Sequence, residues 1–391
     1  HATVSGGGNY NGLGSQVGAN YNSMIVRDPG SVLELLANGN SWLVGSSAYG
    51  ATRLDGNVIY VRNGGLLTNS ADVIVANAWA GGVFCGSNTF NSGIIVSSSG
   101  QVWSSATWYI GQAGRATGNF AQVIGPGSYW NMGGRLLGIG TNGNSGNYLT
   151  IDQTGTVDNV GTLAVFGTNY INLLGGLLGV INMTYTNGLF VPGDGNQSAT
   201  LKSIAGGTLN FTNGLWITNN ATLMCLGTVD GWGGGVVIDT NGTLLGTGTV
   251  KDRTAGVIIT YGATFSPGTN GPGIGLTIGG SNLTWNAGGI YRCEITNINY
   301  GAGAGWDVMN VSSQLNLANG PGFVIKVDAM SASPAGGFNP GSDYGLRVLD
   351  YGAMNGFLET SFVFDTNSFP GSAGPWSVSN LNNSLYLQYR G

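Results

Sequence analysis

The chain has 391 residues, of which 73 are glycine and only 7% are charged, and its net charge is −5. No run of Lys and Arg exists to neutralise phosphates, which excludes a nucleic-acid partner, and no stretch of about 18 uninterrupted apolar residues exists to span a membrane. A hydrophobic share of 42% with 10% aromatics excludes disorder, and the scarcity of straight-chain helix formers beside Gly, Asn, Thr, Val and Ile points to an all-β chain.

The chain opens at His1-Ala2 without an apolar leader. This start predicts a secreted protein, extracellular or at the cell surface, whose signal peptide has been removed. Residues 1–22 contain no charged side chain and carry Val4, Tyr10, Leu13, Val17 and Tyr21 at intervals. They read as an N-terminal extended segment suited to adding as a strand to a neighbouring copy.

Residues 23–264 repeat. An aliphatic residue is followed four positions later by Gly and two positions after that by another apolar residue. The instances are Val26-Gly30-Val32, Val61-Gly65-Leu67, Val96-Gly100-Val102, Val123-Gly127-Tyr129 and Ile151-Gly155-Val157. The glycines lie 35, 35, 27 and 28 residues apart. Units this short cannot close a core alone and must stack on one another, so the spacing predicts a β-solenoid. Gly30, Gly65, Gly100, Gly127 and Gly155 are expected at equivalent corners, held there by a need for φ > 0. Asn at neighbouring corners is expected to stack into ladders along the axis. Shorter instances follow at Ile171-Gly175-Leu177 and Ile238-Gly242-Leu244. A β-sandwich with regular strand spacing is the competing fold.

Near residue 265 the run FSPGTNGPGIG gathers prolines and glycines and reads as a linker or coil break. Beyond it the strands lengthen, and 265–391 is expected to be a β-rich module that caps the exposed last coil. The expected fold is thus a right-handed parallel β-helix with a C-terminal capping module. Cys85, Cys225 and Cys293 are too few and too scattered for a disulfide framework. Cys225 and Cys293 sit inside strand-like runs and are expected to be buried and unlinked.

The candidates for chemistry are sparse. Asp152 and Asp158 flank the Gly155 corner, Asp343 and Asp350 are neighbours in sequence, and Lys251-Asp252-Arg253 is the one dense charge triplet, read as a solvated turn. No His-bearing carboxylate cluster accompanies them, as a glycan-cleaving β-helix would require. His1 lacks the second histidine of a copper brace, and no zinc spacing occurs. Asp194 and Asp307 fit calcium ligation or, more simply, Asx-turns. Trp103, Trp108, Tyr129 and Trp130 are candidates for stacking on sugars or for filling a corner. The threonines of 242–249 suggest an ice-binding array, against which the uneven repeat spacing argues. No catalytic residue, metal or cofactor is expected.

The Gly30 to Gly167 repeats, with the segment from ATFSPGTNGPGIGLTIGG through GWDVMNVSSQLNLA, resemble autotransporter-associated β-strand repeats. Such repeats build autotransporter passengers and large secreted proteins of Verrucomicrobia and planctomycete type. The SPG turn at 266–268 and the strand from Trp306-Asp307 to Val311 carry the later stretch of the likeness. The resemblance implies an extracellular right-handed β-helix used in adhesion, coats or filaments. That family's outer-membrane anchoring is not part of the expectation, since residues 265–391 are read as a capping module and not as a membrane barrel. The expected function is structural: head-to-tail self-assembly into a filament or layer. Alternatives are a monomeric carbohydrate-binding adhesin and a polysaccharide-degrading enzyme.

Overall fold

The computed structural model describes residues 2–4, 11–13, 20–36, 41–45, 53–76, 88–112, 116–140, 144–269, 274–330, 335–371 and 374–391. The described residues form short strands joined by turns, with one 3-10 turn and no α-helix. Nearly all strands pair in parallel with strands one coil further along the chain, as in a β-helix. The chain divides into two compact units. Residues 1–188 and 192–201 form the first, and 189–191 and 202–391 the second.

In the first unit the described strands fall into four ladders, the fourth of them shorter than the others. Sheet I stacks Ser23–Arg27, Val58–Arg62, Gly93–Ser97, Phe120–Ile124, Ser145–Asp152 and Thr168–Leu173. Sheet II stacks Ala2–Val4, Val32–Leu35, Leu66–Asn69, Gln101–Ser104, Tyr129–Asn131 and the start of Thr156–Val165. Sheet III runs from Asn11–Leu13 through Trp42–Val44, Val73–Val75, Trp108–Ile110 and Leu136–Ile139 to the end of Thr156–Val165. Sheet IV holds Arg53–Asp55, Asn88–Phe90 and Ala116–Thr117. Strand alternation sends every second side chain inward. Val61, Val96, Val123 and Ile151 therefore lie over one another, all fully buried.

All five glycines of the repeat lie at the turn from sheet I to sheet II, but they are not equivalent. Gly65, Gly100 and Gly155 immediately precede the paired residues Leu66, Gln101 and Thr156. Gly30 and Gly127 stand one position earlier, before Ser31 and Ser128, because Pro29 and Pro126 lengthen their turns by one residue. Consequently Leu33 and Trp130, not Val32 and Tyr129, are the buried counterparts of Leu67, Val102 and Val157. The reason for the glycine also differs from expectation at three corners. The left-handed backbone falls on the preceding pairs, Asn63 and Gly64, Ser98 and Ser99, or Gln153 and Thr154. At Gly65, Gly100 and Gly155 a side chain is forbidden by proximity. Their Cβ atoms would lie 2.5, 2.1 and 2.2 Å from the carbonyl oxygens of Val26, Val61 and Val123.

A polar ladder lines the turn from sheet IV to sheet I. Asn22 donates its backbone N–H and side-chain amide to Asn57 Oδ1, at 3.2 and 2.9 Å. Asn57 N–H donates to Ser92 Oγ (3.2 Å), and Ser92 N–H to Asn119 Oδ1 (3.0 Å). Asn119 then bonds to Asn147 Oδ1, and Asn147 to Asn169 Oδ1, each through backbone and amide. Asn57, Ser92, Asn119, Asn147 and Asn169 are fully buried. Burying an amide is favourable only when its groups are bonded, and the stack supplies those bonds. The ladder ends at Asn169, whose amide turns to the carbonyls of Asn144 and Phe166.

In the second unit three ladders share a 21-residue interval between Leu215 and Thr264. Leu215–Ile217, Val236–Ile238 and Val257–Ile259 pair at intervals of 21 residues. Thr222, Thr243 and Thr264 share the same interval in the next ladder. Pairing continues through Ile274–Gly279, Leu283–Asn286 and Ile290–Ile295. The composition break at 265 is therefore not a boundary, since parallel coils run through it on both sides. The parallel stack ends later. Trp376–Leu381 and Ser384–Tyr389 form a hairpin whose second strand runs antiparallel to Tyr344–Asn355. Phe338, Phe369, Trp376 and Tyr389 pack there ring against ring, with centroids 4.9 to 5.7 Å apart.

Candidate functional site

Of the residues at 1–22 expected to donate a strand to a neighbour, Ala2–Val4 and Asn11–Leu13 pair instead within their own chain. The strand holding Val4 pairs with Val32–Leu35, and that holding Leu13 with Trp42–Val44. Tyr10 and Val17 lie outside the described residues. Tyr21 adopts the left-handed conformation and is 74% exposed. Its ring covers Gly56 of the next coil, where a Cβ would lie 2.4 Å from the ring. Ala2–Val4, Asn11–Leu13 and Ser23–Arg27 each pair on one side only among the described residues. Met24 is half-buried, whereas its counterparts Ile59, Ile94 and Ala121 are buried. Among the described residues the first coil thus presents backbone groups paired on one side only and a portion of an apolar cross-section.

The acids are bound into the architecture at separate places. Asp152 accepts from Gln153 N–H (2.7 Å) and Gln197, while Asp158 accepts from Asn159 N–H. Asp343 pairs with Arg390 at 2.6 Å, and Asp350 accepts from Ser384 and lies 3.5 Å from Arg347. Asp194 makes an Asx-turn with Asn196, whose bonds hold its carboxyl below the ordinary range. The triplet at 251–253 is not a solvated turn throughout. Asp252 is 1% exposed and accepts backbone N–H bonds from Gly233, Gly235, Thr254 and Gly256, at 2.6 to 3.1 Å. Burial opposes its ionisation, but the four donors outweigh burial and lower its pKa. Lys251 lies 3.4 Å from buried Asp230, and Arg253 stacks on Trp232 at 3.6 Å.

The densest ionic cluster escaped the sequence pattern because Asp328 joins Arg292 and Glu294 from a separate strand. Arg292 Nε donates to Asp328 Oδ2 at 2.5 Å, and Nη1 lies 2.8 Å from Glu294 Oε1. Glu294 and Asp328 are register partners, 1% and 4% exposed. Glu294 carries its ion pair without an aligned hydrogen bond. Asp307, a candidate calcium ligand, is fully buried and accepts from the Glu294 N–H at 2.9 Å. Arg292 fills the place between the two carboxylates that a cation would take. Among the described residues no three metal-ligating side chains converge.

Of the four candidate sugar-stacking aromatics, Trp108 and Trp130 are fully buried, packed edge to face at 4.9 Å, and both donate to Ser104 Oγ. Trp103, 47% exposed, stays at the surface, 5.6 Å from Tyr129. The threonines are more regular than the sequence spacing suggests, with Thr208, Thr228, Thr249 and Thr277 paired in one row. Two positions along, the same ladder carries Asn210, Asp230, Lys251 and Gly279 in place of threonine. Cys225 and Cys293 are buried and free, and burial pushes the Cys225 thiol up to about 11. Cys85 lies outside the described residues.

The stacked amides expected near the corners are present, and their fixed spacing was the unread signal. Asn22, Asn57, Ser92, Asn119 and Asn147 each stand eight residues before a corner glycine. Compared with known proteins, the sequence matches no family model and no curated protein.

Proposed function

We propose that this chain is an extracellular structural protein that acts by self-association, its coils extended by strand addition at the first coil. The observation that carries this reading is the one-sided pairing of Ala2–Val4, Asn11–Leu13 and Ser23–Arg27, with Met24 half open beside them. Unpaired strand edges recruit further strands unless charge or a cover blunts them, and the low net charge adds little repulsion. The other end of the pairing order is treated differently, with an antiparallel hairpin and an aromatic cluster. In this reading the surface does the work and no reaction is catalysed. The kinship with autotransporter-type repeats rests on the SPG and Trp306-Asp307 signatures. Negative-stain imaging and light scattering test the reading: particles lengthen with concentration in the native protein and shorten in Met24→Asp, which places a charge on the open end. Native protein that stays monomeric at high concentration overturns it.

A second reading, carbohydrate binding by a monomer, has one observation in its favour, the surface pair Trp103 and Tyr129. Glycan binding lost in Trp103→Ala would establish it.

A further inference from the structure

The register of the second unit breaks at two places that border one cleft. Between Ile274–Gly279 and Val308–Ala318, Gly275 is an extra residue: Ile274 pairs with Val308, and Leu276 with Met309. Its φ of +124° suits glycine, whereas a Cβ there would make only an ordinary contact, 3.4 Å from the Thr247 carbonyl oxygen. The other break lies between Tyr344–Asn355 and Ser384–Tyr389, where Arg347 pairs with Tyr386 and Leu349 with Leu385. Three positions apart on an unbroken strand, Arg347 and Asp350 would point to opposite faces. The extra residue, Val348, shifts the phase. Val348 and Leu349 are both buried, and Arg347 emerges beside Asp350, with Nη1 3.5 Å from Oδ2. Stacking of coils asks for neither break. Bulges of this kind recur where a side chain is re-aimed beside a site.

The cleft measures about 240 Å³. Thr277, Asn310 and Asp350 line it as one outward row, register partners on successive coils roughly 4.8 Å apart. Arg347 joins them, and Val308 and Met309 form an apolar wall. The Thr277 hydroxyl and the Asn310 amide bond to no other described residue. Asp350 commits one oxygen to Ser384 at 2.7 Å, and its 3.5 Å approach to Arg347 is longer than a close hydrogen bond.

We propose that this cleft binds one pyranose ring of a neutral sugar, with Thr277, Asn310, Arg347 and Asp350 holding its hydroxyls. Pockets for drug-sized molecules measure roughly 300–1,000 Å³, so a smaller cleft takes a single ring. The polar side needs a partner that both donates and accepts: Asp350 only accepts, Arg347 only donates, and Asn310 and Thr277 do both. A hydroxyl does both, and neighbouring hydroxyls of one ring bridge Arg347 and Asp350 with the ion pair left in place. An ion of either sign would bring a like charge to one member of that pair. A zwitterion would match both charges only by separating them. The C–H face of the ring lies against Val308 and Met309, where a fully polar ligand would gain nothing. This site is independent of the self-association reading, which the first coil carries, so either fails without the other. It also differs in kind from the surface pair Trp103 and Tyr129, since it encloses a ring between hydrogen-bonding groups.

Saturation-transfer NMR of the full chain with methyl glucoside, methyl galactoside and methyl mannoside tests the assignment. At least one of the three shows transfer to its ring C–H protons. Its affinity falls roughly three- to tenfold in Asn310→Ala and in Thr277→Val, as loss of one hydrogen bond does. Arg347→Met removes a charged donor and weakens binding by roughly tenfold or more. The Asn310 and Thr277 side chains hold nothing else in the fold, and circular dichroism confirms that these variants are folded. No transfer to any of the three sugars overturns the proposal, as does binding indifferent to both Asn310→Ala and Thr277→Val. Sugar binding that is lost in Trp103→Ala and kept in Asn310→Ala overturns it in favour of the surface pair. Glycine that displaces the sugar from the cleft overturns it in favour of a zwitterion.

Discussion

A Cβ at Gly100 would lie 2.1 Å from the Val61 carbonyl oxygen, while one at Gly30 meets nothing within 4 Å. The two glycines of one sequence motif therefore respond differently to substitution. Gly100→Ala must push neighbouring coils apart or bend the turn, at a cost of ~3 kcal/mol or more. Gly30→Ala only strains a left-handed residue, at ~1 kcal/mol. Urea unfolding of the two variants measures the contrast, and equal losses would refute it. The corner was legible because the glycines recur at it. Its physical reason was not, because contact between coils depends on a register that Pro29 and Pro126 shift by one residue. Arg292 belongs to the same scale. Replacing it with Met takes the cation from buried Glu294 and leaves Asp328 only Lys326 at 3.9 Å, with an expected loss of ~3–5 kcal/mol in the same assay.

Among the elements, the amide ladder and the loop around Asp252 are where polar groups hold coils together. Asn119→Ala strips bonds from Ser92, Thr89 and Asn147 at once. It is expected to cost ~2–4 kcal/mol, more than any exposed Asn→Ala change. Asp252 makes stability depend on acid. Its folded pKa is depressed, so its contribution is complete above the unfolded value of about 4 and disappears as pH falls through the folded value. Asp252→Asn should therefore lower stability at pH 7 and flatten the loss below pH 4, as thermal midpoints across that range would show. An unchanged acid slope would count against the nest of N–H donors. The ladder was legible in principle, eight residues ahead of each glycine. The nest was not, because Gly233 and Gly235 reach Asp252 from the preceding coil.

Over the whole molecule, the all-β stacking was legible from repeat spacing, while the partition of the chain was not. Prolines and glycines at 265–273 resemble a linker, yet parallel pairing spans them, and the compact units divide near 188–202. A linker is defined by the contacts that fail to cross it, and composition reports contacts only indirectly. The terminal hairpin offers a test at this scale. Tyr389→Ala removes the ring shared by Phe338 and Trp376. It is expected to cost ~3–5 kcal/mol and to expose the edge of Tyr344–Asn355, seen as faster amide exchange there and as aggregation. The 21-residue interval shared by the ladders between Leu215 and Thr264 has an evolutionary consequence. Excising residues 236–256 would join Gly235 to Val257 with each inward and outward position kept in phase. The ladders would close over the gap one coil shorter. Recombination between neighbouring coils can therefore lengthen or shorten such a gene in whole steps that keep the core in phase, whereas a one-residue indel inside a strand turns core residues to the surface.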